Sequence, residues 1–85
     1  MNQSVQFDGH FVILGSQVVL RFQASGLNVT CYLNSIPEHI VNGFDAYWHE
    51  HQFDVEESVT DYYEDNPSVW DMADIQISWL ELSLP

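Results

Sequence analysis

Residues 35–67 read SIPEHIVNGFDAYWHEHQFDVEESVTDYYEDNP, and this stretch decides the fold because apolar residues take up helical spacing within it. Ser35 and Glu38 are three residues apart and enclose Pro37, which is the pattern of a capping box at the start of a helix. Apolar and aromatic residues then recur so that they cover one face of a helix. That face predicts an amphipathic first helix. Its residues are Ile40, Phe44, Tyr47, Trp48 and His51.

A second helix start is predicted at Asp54, because Asp is a favoured N-cap residue and Glu57 follows three positions later. The helix is expected to end at Asn66, because Pro67 disfavours α-helical geometry in the residue before it. Two opposite faces are predicted for this helix. Val55, Val59, Tyr62 and Tyr63 share the apolar face, and Glu57, Asp61, Glu64 and Asp65 share the acidic face.

Upstream of the helices, residues 4–34 alternate between apolar and polar side chains, which is the period of β-strands. Gly15 and Ser16 fit a two-residue hairpin turn between two apolar runs. Ser25 and Gly26 supply a second turn. The segment therefore predicts a meander of three or four short strands. The residues that define the alternation are Val18, Leu20, Phe22, Val29, Cys31 and Leu33.

Two irregularities interrupt this strand pattern. Asp8 and Gly9 break the first strand, either as a turn or as a bulge. Residues 73–84 alternate again, but the apolar positions change phase between Trp79 and Leu80. This change of phase predicts either a bulge or a strand that is covered on both faces.

A single α+β domain is predicted to cover residues 1–85, because a chain of this length suits one small domain. The predicted fold is an antiparallel β-meander followed by two helices and a C-terminal strand. We expect the sheet to be antiparallel throughout and both helices to pack on one of its faces.

The balance of charge is the unusual property of the chain. It has 13 Asp and Glu residues against the single basic residue Arg21, which gives a net charge of -12. Such self-repulsion lowers stability, but it attracts cationic partners and opposes direct binding to nucleic acid or to anionic membranes. The acids are concentrated between Asp45 and Asp74, whereas the first third of the chain contains only Asp8.

Acids on the second helix are spaced as a binding surface would require. Glu57, Asp61 and Asp65 lie four residues apart, so that about 6 Å along the helix axis separates one from the next. An incidental, solvated acidic face is the alternative, although ordinary helices mix charges of both signs. Tyr63 and Trp70 are the aromatic contact candidates, because Tyr and Trp often anchor interfaces. The predicted partner-binding residues are Asp45, Glu50, Asp54, Glu56, Glu57, Asp61, Tyr63, Glu64, Asp65, Trp70, Asp71 and Asp74.

The sequence offers little support for catalysis or for a bound cofactor. His49 and His51 point about 200° apart on a helix, so they are not expected to share a metal ion. The carboxylates have no nucleophile or general base near them in the pattern, and we predict neither an enzyme nor a cofactor. Cys31 is a lone cysteine, and no signal peptide or membrane span is predicted. These features favour a reducing, cytoplasmic location.

In size, charge and layout the chain resembles the small acidic inhibitors that phages and mobile elements encode. These include anti-CRISPR proteins and antirestriction proteins that mimic DNA. The resemblance rests on the acid-rich residues 45–74 and on the near absence of basic residues. It implies a stoichiometric inhibitor in the bacterial host cell, evading host defence by blocking a basic nucleic-acid-binding protein such as a Cas effector or a restriction enzyme.

Two other functions remain open at this point. One is an antitoxin or immunity-type protein that neutralises a basic toxin. The other is an acidic subunit of a larger complex that uses the exposed face of the sheet as its contact. A homodimer is compatible with each of these functions.

Overall fold

The α+β architecture is confirmed in a computed structural model that describes residues 5–82 and 84. Residue 4, where the predicted strand region begins, lies outside the described residues. Four strands form one sheet in the order β1-β2-β3-β4. The elements are β1 (Val5–Leu14), β2 (Gln17–Ala24), β3 (Leu27–Asn34), α1 (Glu38–Val41), α2 (Phe44–Asp65) and β4 (Asp74–Ser78).

Both predicted hairpin turns are present. Leu14 pairs with Gln17 and Ala24 pairs with Leu27, so each loop contains two residues. Ser25 and Gly26 both have positive φ, which is the geometry that matches the right-handed twist of the flanking strands. The β-meander therefore follows from local turn chemistry.

The interruption in β1 is a bulge and not a turn. The register of β1 against β2 shifts between Phe7 and Phe11. Gly9 takes a φ of 82°, and the backbone N–H of His10 donates to Oδ1 of Asp8 at 2.9 Å. The strand therefore continues through the irregularity as a single edge strand of ten residues.

Neither helix begins where the sequence predicted it. The capping box at Ser35 does not form, because α1 begins after Pro37 without a side-chain cap. The predicted helix start at Asp54 is also wrong. Only His51 leaves helical geometry, with φ −121° and ψ 19°, and helical geometry resumes immediately after it within α2. The ring of His51 lies 4.6 Å from that of Tyr47, which packs the kink against the preceding turn.

This helical geometry explains why the last strand is parallel. The prediction of a wholly antiparallel sheet is wrong, because β4 pairs parallel to β3. If two helices of similar length had each crossed the molecule, the chain would have returned to the end of β3, and the next strand would have run antiparallel to β3. Instead α1 is one short turn, and the 22 residues of α2 span about 33 Å. Since the molecule is 33 Å in its longest extent, the chain crosses it once and β4 starts beside the start of β3.

The core lies between α2 and one face of the sheet. Val55 and Val59 are fully buried at the centre of the helix face. They meet a sheet surface on which Leu20, Cys31 and Ile75 stand side by side on three adjacent strands. Removing such side chains from water is the main stabilising term in a domain of this size. The buried residues of α2 are Phe44, Trp48, Val55, Val59 and Tyr63.

The change of phase between Trp79 and Leu80, which the sequence showed in the apolar pattern, comes from a short 3-10 turn. The predicted strand stops at Ser78, and the next turn covers Trp79–Glu81. Oγ of Ser78 accepts a hydrogen bond from the backbone N–H of Leu80 at 3.3 Å. The turn buries Trp79 and leaves Leu80 79% exposed, so neither predicted explanation applies. Residue 83 of the predicted strand lies outside the described residues.

Burial of Cys31 gives a test of the core. Burial raises the pKa of its thiol from 9.0 to about 12. An unfolded thiol ionises above about pH 9, whereas the folded one keeps its proton. The contribution of Cys31 to stability is therefore complete below pH 9 and is lost as the pH rises towards 12.

We expect a thiol reagent such as DTNB to modify Cys31 only after unfolding in urea, because the native fold buries the thiol. Rapid modification of the native protein at neutral pH would contradict this packing.

Candidate functional site

The outer face of α2 is the surface opposite the buried Val55 and Val59. It carries an uninterrupted acidic row, because helical geometry continues from residue 52 to the end of α2. Its carboxylates are all exposed, as the predicted row requires. We define the acidic face as Asp54, Glu57, Asp61, Glu64 and Asp65.

Few cations balance the acidic face. Among residues 5–82 and 84, the only ion-pair distances join His51 to Glu50 at 3.5 Å and to Asp54 at 3.3 Å. These pairs contribute charge attraction only when His51 is protonated. Arg21 lies on β2, exposed on the face of the sheet that α2 does not cover. The like charges on α2 therefore repel one another without a Lys or Arg beside them.

Other predicted acids on α2 have local roles. Asp45 lies in the first helical turn, where a carboxylate interacts favourably with the helix dipole. Glu56 is half-buried, and its Oε2 accepts a hydrogen bond from Nε2 of Gln52 at 3.0 Å. Glu50 is exposed beside the kink at His51. The structure thus places Glu56 at the margin of the acidic face and not in its centre.

Asp74 is separated from the acidic face by the sheet. Along β4, Ile75 and Ile77 are buried against the helix side, so the alternating Asp74 and Gln76 point to the uncovered side. The expectation that Asp74 flanks the helical acids is therefore corrected.

Tyr63 is also corrected, because it is a core residue and not an exposed contact. Its side chain is 7% exposed and packs edge-on against Phe22 at 5.4 Å. The signal was in the sequence: Tyr63 follows Val55 and Val59 at successive intervals of four residues. Such spacing favours the buried stripe of a helix over its solvated side.

Trp70 and Tyr63 hold each other in place at the end of α2. Nε1 of Trp70 donates to the backbone carbonyl of Tyr63 at 2.7 Å. The hydroxyl of Tyr63 donates to the backbone carbonyl of Trp70 at 3.2 Å. Burial raises the pKa of the Tyr63 phenol, and the nearby Asp71 carboxylate raises it further. The reciprocal bonds fix the indole ring, which stays 48% exposed.

A pocket of about 340 Å³ opens beside this pair of aromatic residues. It brings together four of the predicted contact residues, although Tyr63 contributes only a wall. The end of β2 and the start of β1 also line it. We call it the Trp70 pocket, and its lining residues are Val5, Ala24, Ser25, Tyr63, Glu64, Trp70 and Asp71.

Two exposed apolar groups were missed from the sequence. Phe53 is 82% exposed and lies four residues before Glu57, on the side of the acidic face. Placing the helix break at His51 would have shown this position on the outer surface. Val12 and Leu14 are also about half exposed, at the end of the first hairpin. The available signal was that these apolar residues directly precede the predicted turn at Gly15 and Ser16.

The uncovered face of the sheet has a different chemical character. A shallow pocket of about 510 Å³ lies there, lined largely by polar side chains. Arg21 is among them, and Nε2 of Gln23 donates to Oδ1 of Asn28 at 3.0 Å across the hairpin. The two sides of the molecule therefore differ, with the acidic face on the helix side and a pocket of mixed polar groups around one arginine on the other.

Comparisons of the chain with known protein families, curated protein sequences and solved structures found no match. Within the described residues, no group of three or more His, Cys, Asp or Glu side chains is placed to hold a metal ion. No helix in that part of the chain is both long and apolar enough to cross a membrane. The assignment of the site rests on geometry and charge.

Charge repulsion on the acidic face gives a second test. Asp61 has a like charge four residues away on each side, Glu57 and Asp65, and each such pair is destabilising by about 0.2–0.5 kcal/mol. We expect Asp61→Asn to raise the free energy of unfolding, with the gain shrinking as salt is added. Urea unfolding at two salt concentrations measures this. Asp74→Asn is the matched control, and an equal gain there would show that net charge alone is responsible.

Proposed function

We propose that this protein is a stoichiometric inhibitor, not an enzyme, and that its acidic face occupies the Lys/Arg-rich groove of a bacterial nucleic-acid-binding protein. An anti-CRISPR or antirestriction role against a Cas effector or a restriction enzyme is the form we favour. The observation that carries the proposal is the row formed by Glu57, Asp61 and Asp65 on one rigid helix without a compensating cation among the described residues.

The spacing of the row suits side chains that normally bind phosphate. Adjacent carboxylates are about 6 Å apart along the axis, while phosphates of one DNA strand repeat at about 3.4 Å. Lys and Arg side chains are long and flexible enough to bridge that difference. Carboxylates also accept the same bidentate hydrogen bonds from Arg that phosphates accept.

Rigidity supports the same proposal. The acidic face is displayed by a helix whose opposite side is fixed in the core by Val55, Val59 and Tyr63. The backbone that carries the carboxylates is thus held in place before binding, which reduces the entropy lost on association. Ordinary solvated helix faces avoid such repulsion by mixing charges of both signs.

The apolar hairpin end favours a second candidate function, that of an acidic subunit in a larger complex. Val12, Ile13 and Leu14 are exposed by 49%, 41% and 53% at the end of the edge strand β1. The backbone of an edge strand is free to pair with another chain. In that case a partner would be retained through high salt, because apolar contact and strand pairing depend little on ionic strength.

Affinity capture from a bacterial lysate distinguishes these functions. We expect the immobilised protein to capture a nucleic-acid-binding protein that salt or competing DNA or RNA displaces. A captured partner that resists high salt and ignores nucleic acid would contradict the inhibitor proposal. It would favour the subunit, and Leu14→Gln would then release it.

A matched pair of double variants then locates the contact. Glu57→Gln/Asp61→Asn should slow association with the captured partner by about tenfold or more at low salt, because electrostatic steering is lost. Asp74→Asn/Glu81→Gln changes the net charge equally but leaves the acidic face intact. Binding kinetics measured by surface plasmon resonance compare the two. Equal effects of both variants would show that overall charge, and not this row, attracts the partner.

A further inference from the structure

The Trp70 pocket combines an aromatic surface with negative charge in one concave site. Trp70 forms one side, and Glu64 and Asp71 bring a carboxylate each. At about 340 Å³, the pocket lies at the small end of the range for ligand sites and suits a single side chain. Val5 and Ala24 supply an apolar wall for the aliphatic part of such a side chain.

The indole ring is prepared for stacking. Its only polar group, Nε1–H, is already bonded to the carbonyl of Tyr63, so the part of Trp70 left to a ligand is its π-surface. The second bond, from the Tyr63 hydroxyl to the Trp70 carbonyl, fixes the backbone on the other side. A residue that is held at its ring and at its backbone, with the ring still half exposed, loses little freedom when a ligand stacks on it.

The end of α2 adds an independent attraction for positive charge. The last helical turn, which contributes Tyr63 and Glu64 to the pocket, contains no basic residue. Asn66 and Trp70 donate hydrogen bonds to the carbonyls of Tyr62 and Tyr63, but the helix dipole still gives this end partial negative charge, which a nearby cation stabilises. Within the chain, Arg21 is on the other side of the sheet and there is no lysine. A guanidinium or ammonium side chain that suits this site therefore comes from another molecule.

We infer that the Trp70 pocket binds one arginine side chain of the partner, stacked on the indole ring and paired with Glu64 and Asp71. Arginine fits better than lysine because its planar guanidinium stacks on an aromatic face while its edge donates to carboxylates. The inference deepens the proposed function and rests on its basic partner. The acidic face would attract that partner over a distance, and the pocket would fix its position.

A peptide titration tests the pocket without the partner. The probe is a short peptide with one arginine among neutral residues, and its counterpart has lysine in that position. We expect the arginine peptide to shift the indole N–H resonance of Trp70 in a saturable way and to bind more tightly than the lysine peptide. Shifts spread over all acidic residues in proportion to charge, with no preference for arginine, would overturn the inference.

Variants separate the pocket from the row formed by Glu57 and Asp61, and Glu64 belongs to both the pocket and the acidic face. Glu64→Gln/Asp71→Asn and Trp70→Ala should each weaken binding of the arginine peptide by about tenfold. Glu57→Gln/Asp61→Asn also removes two charges, but outside the pocket, and should change binding of the arginine peptide little. The carboxylate variant covers the case in which Trp70→Ala fails to fold, because both of its positions are exposed. Equal binding by the wild type and the carboxylate variant would overturn the inference.

The two proposals fail in different ways. If the peptide binds in the pocket but lysate capture returns no nucleic-acid-binding protein, the inhibitor proposal fails and the arginine site stands. If capture succeeds and Glu64→Gln/Asp71→Asn leaves the affinity for the captured partner unchanged, the pocket proposal fails alone.

Discussion

Packing of α2 against the sheet is the interaction on which the rest of the structure depends. Val55 and Val59 anchor the helix on a surface built from three strands, with Phe44, Trp48 and Tyr63 extending the contact along it. The free energy gained by this burial offsets the free energy lost to mutual repulsion of the carboxylates on the outer side of α2. Because one helix carries both faces, the core that stabilises the fold also sets the direction in which the negative charge points.

The kink and the C-terminal end of α2 have different consequences. Near its middle, the kink at His51 lets one helix follow the sheet for the full length of the molecule. At its C-terminal end, the reciprocal bonds between Tyr63 and Trp70 turn an exposed loop aromatic into a fixed surface beside two carboxylates. Under the proposed function, long-range attraction would belong to the outer face of α2 and local recognition to the pocket at its C-terminal end. A convex row of acids alone would attract many basic proteins, whereas a shaped pocket favours one geometry.

Much of the fold could be predicted because its signals are local. The turns at Gly15-Ser16 and Ser25-Gly26 and the apolar stripe of α2 depend on neighbouring residues only. The direction of β4 could not be predicted, since it depends on whether the chain reverses at residue 51 or continues through a kink. Most of the acidic face was predictable from helical spacing. Asp74 and the Trp70 pocket were not, because their positions depend on elements that are distant in sequence.

The sequence by itself determined the charge of this protein, its division into a nearly neutral meander and an acidic helical half, and the burial of the apolar stripe. These properties follow from composition and period, which need no long-range contact. Only the tertiary structure decided which acids share a surface. One side of the sheet faces α2 and the other faces solvent, so Asp71 joins the Trp70 pocket while Asp74, three residues later, lies on the opposite side.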